Sequence, residues 1–383
     1  MNWNLFSLTK PAAPKLRPPA NTPVGDPQAP LRILIVANAL IPTVQISLLL
    51  PLAPLTQTGR AHLHLITEKD IVLRTKENAS PGTFAGLFDL LRPTHVVFCR
   101  YSGPGGPGLL KEATLRHLPS IYIIDDDLLN VPRELGEQKY LFHNDPARLT
   151  CVNDLLRTVD LVYCSNSRLA EKLRAQGITD RLHVPPFFCT PPWIKPPAPH
   201  PSGTLGYMGF DHAHDFALVL PALVKILHRH PQLTFELFGK IPRPAALHPF
   251  GDRVRVLPAV SDYEQFLHAL ADRHWDIGIC PLAATPFNQV KNINKWMEYT
   301  AVGTAVIASQ NTIYDDCCAQ GCGLLVDDDG WESALNDLIT QPAQRLHQIN
   351  LAQARLRATY SPETLITQIQ HAFSLAESSH RIA

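Results

Sequence analysis

The sequence predicts an α/β protein made of two Rossmann-like, doubly wound domains with a cleft between them. Three observations carry this. Short apolar runs without polar alternation recur along the chain, and stretches with helical spacing separate them. Strands of that kind are covered on both faces, as in a parallel sheet flanked by helices. The pattern stops at a proline-dense window and then starts again beyond it.

Taken in order, residues 1–30 hold seven prolines and almost no aromatic residues, so they read as a flexible tail. The first domain, 31–184, opens on the strand RILIVAN (32–38), followed by an apolar helical stretch from about Thr43 to Gln57. AHLHLIT leads to the helix GTFAGLFDLL, and THVVFCRY (94–101) leads to GLLKEATLRHL. SIYIID (120–125) comes next; DLVYCS (160–165) then precedes NSRLAEKLRAQG with its glycine stop. Eight prolines between Val184 and Gly203 disallow a helix or central strand, so 185–203 reads as a semi-rigid linker.

The second domain, 204–360, resumes with TLGYMG (204–209) and the helix DFALVLPALVKILHRH. LTFELFG, RVRVLPA, WDIGICPL and TAVIAS supply further strands, with DYEQFLHALAD and NINKWMEYTAVG as helices between them. GCGLLVDD and a helix from Trp331 to about Thr340 follow. The segment 361–383 holds a last helix, from about Pro362 to Ser379, placed to cross back to the first domain. Ligands of such folds sit beyond the carboxyl ends of the strands, so the cleft is the expected site.

Lys+Arg and Asp+Glu both number 34, which leaves no net field to draw in nucleic acid or an acidic membrane. The eight cysteines lie mostly in apolar contexts and read as buried thiols of a reducing compartment. Cys317, Cys318 and Cys322 cluster, but no second CxxC or HxxxH pair completes a zinc site. MNWNLFSLTKPAAP lacks the basic start and apolar core of a signal peptide. VQISLLLPLAPL is too short and too broken by proline to span a bilayer. The expectation is a cytoplasmic protein with at most peripheral contact with the inner face of a membrane.

Neither domain opens with GxGxxG, and there is no GxxxxGK[ST], so a dinucleotide dehydrogenase or a P-loop kinase is excluded. GPGGPG (103–108) reads as a turn, because its prolines remove donors a phosphate cradle would use. The informative stretch is DIGICPLAATPFNQVKNINKWMEYTAVGTAVIAS, Asp276 to Ser309. Spacings of four and three place Lys291, Lys295 and Glu298 on one helical face just after a polar loop. That arrangement suits a diphosphate near a helix N-terminus and a carboxylate for ribose hydroxyls. An exposed face with a Lys295–Glu298 pair accounts for the same spacing.

In this stretch, D-I-G-I-x-P-L, F-N, K, K-W-x-E-Y and A-x-G-x-x-V-I-A-S resemble the donor-binding region of GT-B glycosyltransferases. The group it resembles is the large, mainly retaining one that builds bacterial polysaccharides. GYMGFDHAHDFALVLPAL resembles that family's first C-domain strand, loop and helix, and FELFGK its next glycine-ended strand. The resemblance covers most of 204–360 and extends more loosely through the first domain.

It implies transfer of a sugar from a UDP-, GDP- or TDP-sugar to a glycan, lipid-linked or other acceptor. It also implies retention and neither cofactor nor metal. Glu298 would hold the donor ribose, and the backbone around Gly209 would approach the diphosphate. Lys291 or Lys295 would neutralise the departing nucleoside diphosphate, while Phe287 and Asn288 face the sugar. The wider family often carries two glutamates across this loop and helix, and the earlier position here is Val290. A basic residue common after the first strand is also missing from Phe210, Asp211, His212, Ala213 and His214. Lys240, Lys291 and Lys295 are the candidate replacements, with His212 and His214 able to touch phosphate when protonated. A non-catalytic sugar-nucleotide-binding subunit and a sugar-nucleotide 2-epimerase share this signature.

Asp125, Asp126 and Asp127 end an apolar strand and admit three readings. The first is a metal-binding Asp-x-Asp, which fits locally but belongs to a single-sheet architecture this chain does not follow. The second is an acceptor-side wall of the cleft, in which a carboxylate binds acceptor hydroxyls or acts as a base, with Arg100 as partner. The third is a polar strand end capping its own turn.

Overall fold

The computed structural model describes residues 30–77, 84–178, 181–191, 193–197, 203–209 and 213–382. The proline-rich tail before Pro30 and the linker positions 192 and 198–202 lie outside them.

Apolar runs buried on both faces make the central strands. In the first half they are β1 (Leu31–Ala37), β2 (Ala61–Thr67), β3 (His95–Cys99), β4 (Ser120–Ile124), β5 (Leu161–Cys164) and β6 (Leu182–His183). All pair in parallel, in the order β2-β1-β3-β4-β5-β6. The second half holds β7 (Thr204–Gly209), β8 (Thr234–Gly239), β9 (Val254–Leu257), β10 (Ile277–Cys280), β11 (Ala305–Ser309) and β12 (Leu324–Val326). This sheet is also parallel, in the order β12-β11-β10-β7-β8-β9. Each sheet reverses its winding once, between β1 and β3 in the first and between β7 and β10 in the second. Crevices beyond the carboxyl ends of strands open at such reversals.

Several elements depart from the sequence expectation. The run after β1 is α-helical over Pro42–Val44, π-helical over Gln45–Leu49 and α-helical again over Leu50–Gln57. The sequence expectation placed no helix at Glu68–Glu77, Glu137–His143, Pro146–Thr158, Tyr314–Cys318 or Pro342–Tyr360. The described part of the linker is not a spacer in water. Phe187, Phe188 and Cys189 are buried, the Cys189 N–H donates to Ile46 O at 2.9 Å, and the Lys195 N–H donates to Ala301 O at 2.8 Å. Those bonds tie one segment to both halves. The helix Pro362–Ile382 lies on the first half, where Glu377 meets His95 at 3.2 Å and His380 meets Asp160 at 3.1 Å.

The reversal in the second sheet has its own lock. β7 and β10 pair only over Leu205–Gly206 and Ile277–Gly278, and the Met208 N–H then donates to the Tyr299 hydroxyl at 2.9 Å. Gly278 makes room for that ring, since a Cβ there would stand 2.5 Å from it. Gly239 is required as well: its φ is 128°, and a Cβ would meet Gly209 O at 2.1 Å. Tyr299→Phe orphans the buried Met208 N–H and is expected to lower stability by about 1–3 kcal/mol in urea unfolding. An unchanged unfolding curve would show that this hydroxyl does not hold the strands.

Candidate functional site

The first sheet's reversal places Asn38, directly after β1, beside Arg100, directly after β3. Arg100 takes a left-handed backbone (φ 51°) and donates its N–H to Ile123 O at 2.9 Å. A non-glycine residue held there is strained, and the surroundings have to enforce it. Asn38 does so: its amide donates to Arg100 O at 3.3 Å and to the Ser102 hydroxyl at 3.0 Å, and it accepts the Ser102 N–H at 3.1 Å.

So aimed, the guanidinium reaches Asp125 at 2.6 Å and Asp126 at 3.0 Å. The Thr43 hydroxyl donates to the other Asp125 oxygen at 2.8 Å. Asp125 is 1% exposed. Burial pushes its carboxyl up to about 6, against the pull of Arg100 and with a further push from Asp126. Asp126 keeps more contact with solvent.

Asp127 does not share this site. The chain turns here, with the Leu128 N–H donating to Asp126 O at 2.9 Å. Asp127, 2% exposed, pairs with Lys172 and accepts the Asn130 amide at 3.0 Å. Asp125 and Asp127 thus answer to different cations, whereas a bridging metal needs carboxylates that converge. Among the described residues no group of three or more His, Cys, Asp or Glu is placed to hold a metal ion. All eight cysteines are buried and unpaired.

On the facing wall, the Lys240 N–H donates to Gly209 O at 3.1 Å, while Phe210 and His212 lie outside the described residues. His214 meets Asp215 at 3.2 Å in the first turn of the helix Ala213–Arg229. The same Asp215 oxygen accepts the Ala283 N–H at 2.8 Å and the Asn288 amide at 2.9 Å. The Asn288 amide is therefore engaged in shaping its own loop. Phe287 is buried in a small cluster with Val131 and Leu135 of the first domain. Lys291 lies over the Phe287 ring at 5.3 Å and Lys295 over Tyr207 at 5.8 Å.

Glu298, on the helix Asn294–Ala301, is 9% exposed. Burial pushes its carboxyl up to about 8, against Lys295 and a hydrogen bond from Tyr263. Lys291 is brought down to about 8, also by burial, with Asp126 opposing and Lys295 adding. Asp126 and Lys291 act on one another across the cleft, so the two walls form one site. Ion pairing and charge thus link Arg100, Asp125 and Asp126 with Lys291, Lys295 and Glu298, while Asp127 pairs elsewhere.

Residues not singled out from the sequence complete the site. Asn38, Thr43, Asp215 and Tyr263 are described above. His143 is held down to about 4 by burial and by Arg100, with Asp126 opposing and Lys139 adding. His143 and Lys139 belong to the helix Glu137–His143, which has no buried residue and so no apolar stripe to reveal it.

No family model matches the sequence, and no curated protein matches it. Solved structures do match in fold. Anabaena HepE in complex with UDP-glucose has a TM-score of 0.57 at 15% identity, over 89% of this chain and 99% of that one. Sucrose-phosphate synthase from Thermosynechococcus elongatus has a TM-score of 0.65 at 14% identity, over 91% and 100%. A UDP-forming trehalose-phosphate synthase from Burkholderia xenovorans has a TM-score of 0.55 at 13% identity, over 90% and 99%. The fold is GT-B. Among the described residues no helix of this GT-B chain is long and apolar enough to cross a membrane.

The Glu298 environment has a measurable signature. Folded, the carboxyl holds its proton up to about 8; unfolded, it releases it in the ordinary range near 4.5. Between those values the folded state binds more protons, so stability falls as pH rises. His143 acts in the opposite sense only below its ordinary value of 6.5, and Lys291 only above about 8. From pH 6.5 to 8 the urea midpoint of the wild type is therefore expected to fall. Glu298→Gln, which keeps the Tyr263 bond but cannot ionise, should flatten that slope. A variant that declines as steeply as the wild type would return Glu298 to the ordinary carboxyl range.

Proposed function

We propose that this chain is a glycosyltransferase moving a sugar from a nucleotide-sugar donor to a glycan or lipid-linked acceptor. The observation that carries the reading is the meeting of two walls at the reversals of both sheets. One wall brings a carboxyl suited to ribose beside two lysines, and the other brings Arg100 with Asp125 and Asp126. The nucleotide would lie on the second domain, with its ribose hydroxyls on Glu298 and its diphosphate over Gly209 and the start of the helix Ala213–Arg229.

As the glycosidic bond breaks, positive character grows on the sugar and negative charge on the diphosphate oxygen. Lys291 and Lys295 stabilise that charge from preset positions, which is where such sites gain most of their rate. The acceptor hydroxyl attacks the anomeric carbon from the side of Asp126, and its proton passes to the departing phosphate oxygen. Retention fits this wall, because both Asp125 and Asp126 are committed to Arg100 and neither stands free as a base. The charge needed at the diphosphate comes from lysines, so the reaction as proposed uses no metal. UDP-glucose, bound by HepE, is the first donor to test.

The experiment is incubation with UDP-, GDP- and TDP-sugars, following nucleoside diphosphate release with and without acceptors. Binding without release across the panel would favour a silent sugar-nucleotide-binding subunit, and interconversion of the donor would favour an epimerase. Two variants separate the walls. Glu298→Ala is expected to weaken nucleoside diphosphate binding by about tenfold, the scale of one lost charged hydrogen bond. Asp126→Asn should reduce turnover by about tenfold or more with donor affinity nearly unchanged. Titration calorimetry and initial rates check both.

A further inference from the structure

Loop 287–291 carries the donor-side lysine, and its own domain and the other domain both fix it. Phe287 packs between Val131 and Leu135. Val290, at the position where the resembled family often has its earlier glutamate, is buried with core residues of the first domain. Arg168 donates to the Gln289 side chain and pairs with Asp315 at 3.4 Å.

The most specific contact is Asn166, which follows β5 by two residues. Its Oδ1 accepts the Leu169 N–H at 2.9 Å and so caps the helix Ser167–Ala175. Its Nδ2 donates across the cleft to Val290 O at 3.0 Å and Lys291 O at 2.9 Å. Its Nδ2 also lies 3.0 Å from the Ser165 hydroxyl oxygen, and one orientation of the amide serves the Leu169 N–H with oxygen and both carbonyls with nitrogen. One side chain thus joins a helix terminus of one domain to two consecutive carbonyls of the other.

We propose that Asn166 is a positioning residue, whose amide holds loop 287–291 in the register that sets Lys291 against the leaving diphosphate. This rests on the glycosyltransferase reading for its catalytic consequence. Where the resembled family often has its earlier glutamate, Val290 anchors the loop through apolar packing. Asp215 and Asn311 hold Asn288 and Gln289 from the loop's own domain, and Asn166 adds polar anchoring at Val290 and Lys291 from the other. Burial lowers the Lys291 ammonium to about 8, which marks the loop as enclosed by both walls. The charged groups acting on it are Asp126, Lys295, Asp215 and Lys139, from both domains.

Asn166→Asp is the direct test. The carboxylate keeps the cap on Leu169 but cannot donate to the two carbonyls. In the full chain, amide hydrogen exchange over residues 287–292 should accelerate while residues 167–175 keep their wild-type protection. With the donor the panel identifies, kcat should fall by about tenfold or more and KM should move by less than about threefold, as expected of a misplaced catalytic group. On a Lys291→Ala background, Asn166→Asp should change kcat by less than about twofold, because the group it positions is gone. Asn166→Ser, which keeps a cap oxygen without adding charge, replaces the aspartate variant if that one does not fold.

Unchanged exchange over 287–292 overturns the proposal. So does a kcat within about twofold of wild type, or an equal loss of kcat with and without Lys291. If the wild type cleaves no nucleotide-sugar, the glycosyltransferase reading fails, and with it the catalytic part. The exchange arm still decides whether Asn166 holds the loop.

Discussion

The first wall depends on one buried cation. Asp125 is almost fully enclosed, and a carboxylate there is tolerable only with a charge partner and filled hydrogen-bond sites. Arg100 supplies the first and Thr43 contributes to the second. The guanidinium can do so only because its backbone is forced left-handed at the end of β3, where Asn38 holds residues 100 and 102. The strain is thus stored where the first sheet reverses its winding. The π-helical turn at Gln45–Leu49 lies in the same neighbourhood, directly after the segment that carries Thr43.

Arg100 also limits what the aspartates can do. A guanidinium shared by two carboxylates holds both in place, so Asp126 is presented to the cleft in a fixed orientation with one oxygen already engaged. That suits binding a hydroxyl more than removing its proton. Asp127 shows how local geometry separates neighbours in sequence. A continued strand would put positions 125 and 127 on one face. The turn at Asp126–Leu128 instead sends Asp127 to Lys172. The sequence shows three equal aspartates, and the fold gives them three different environments.

What could be read from the sequence was whatever burial writes into apolar pattern. The central strands and the cleft between two sheets were legible for that reason. Lys295 and Glu298 share the helix Asn294–Ala301 as their spacing implies, but Lys291 lies before that helix, in the extended end of a 3-10 turn, so the three do not share one helical face. Where burial is polar or absent, the pattern is silent. The helix Pro342–Tyr360 buries Arg345, Gln348 and Gln353, so its inward face does not look apolar. The helix Glu137–His143 fully buries no residue and only partly covers Tyr140 and His143. The helix Pro146–Thr158 did carry a signal, with Asp145 capping Ala147 and Arg148 ahead of a proline at the first helical position. The role of Asn166 has no local signature at all, because both carbonyls it serves lie more than a hundred residues away.

The second wall joins two groups moved toward one another by the same cause. Burial raises the Glu298 carboxyl and lowers the Lys291 ammonium, and both arrive near 8. At neutral pH the carboxyl then mostly keeps its proton while the lysine mostly stays charged, so the pair carries positive charge. On the proposed reading that charge favours a diphosphate, and a ribose held by a carboxylate would place the charge change of binding on Glu298. The first domain adds to this enclosure: Val131 and Leu135 pack on Phe287, its core holds Val290, and Asn166 bonds the carbonyls of Val290 and Lys291. Asp126 and Lys139 act from there on the Lys291 ammonium, while Glu298 answers to Lys295 and Tyr263 of its own domain.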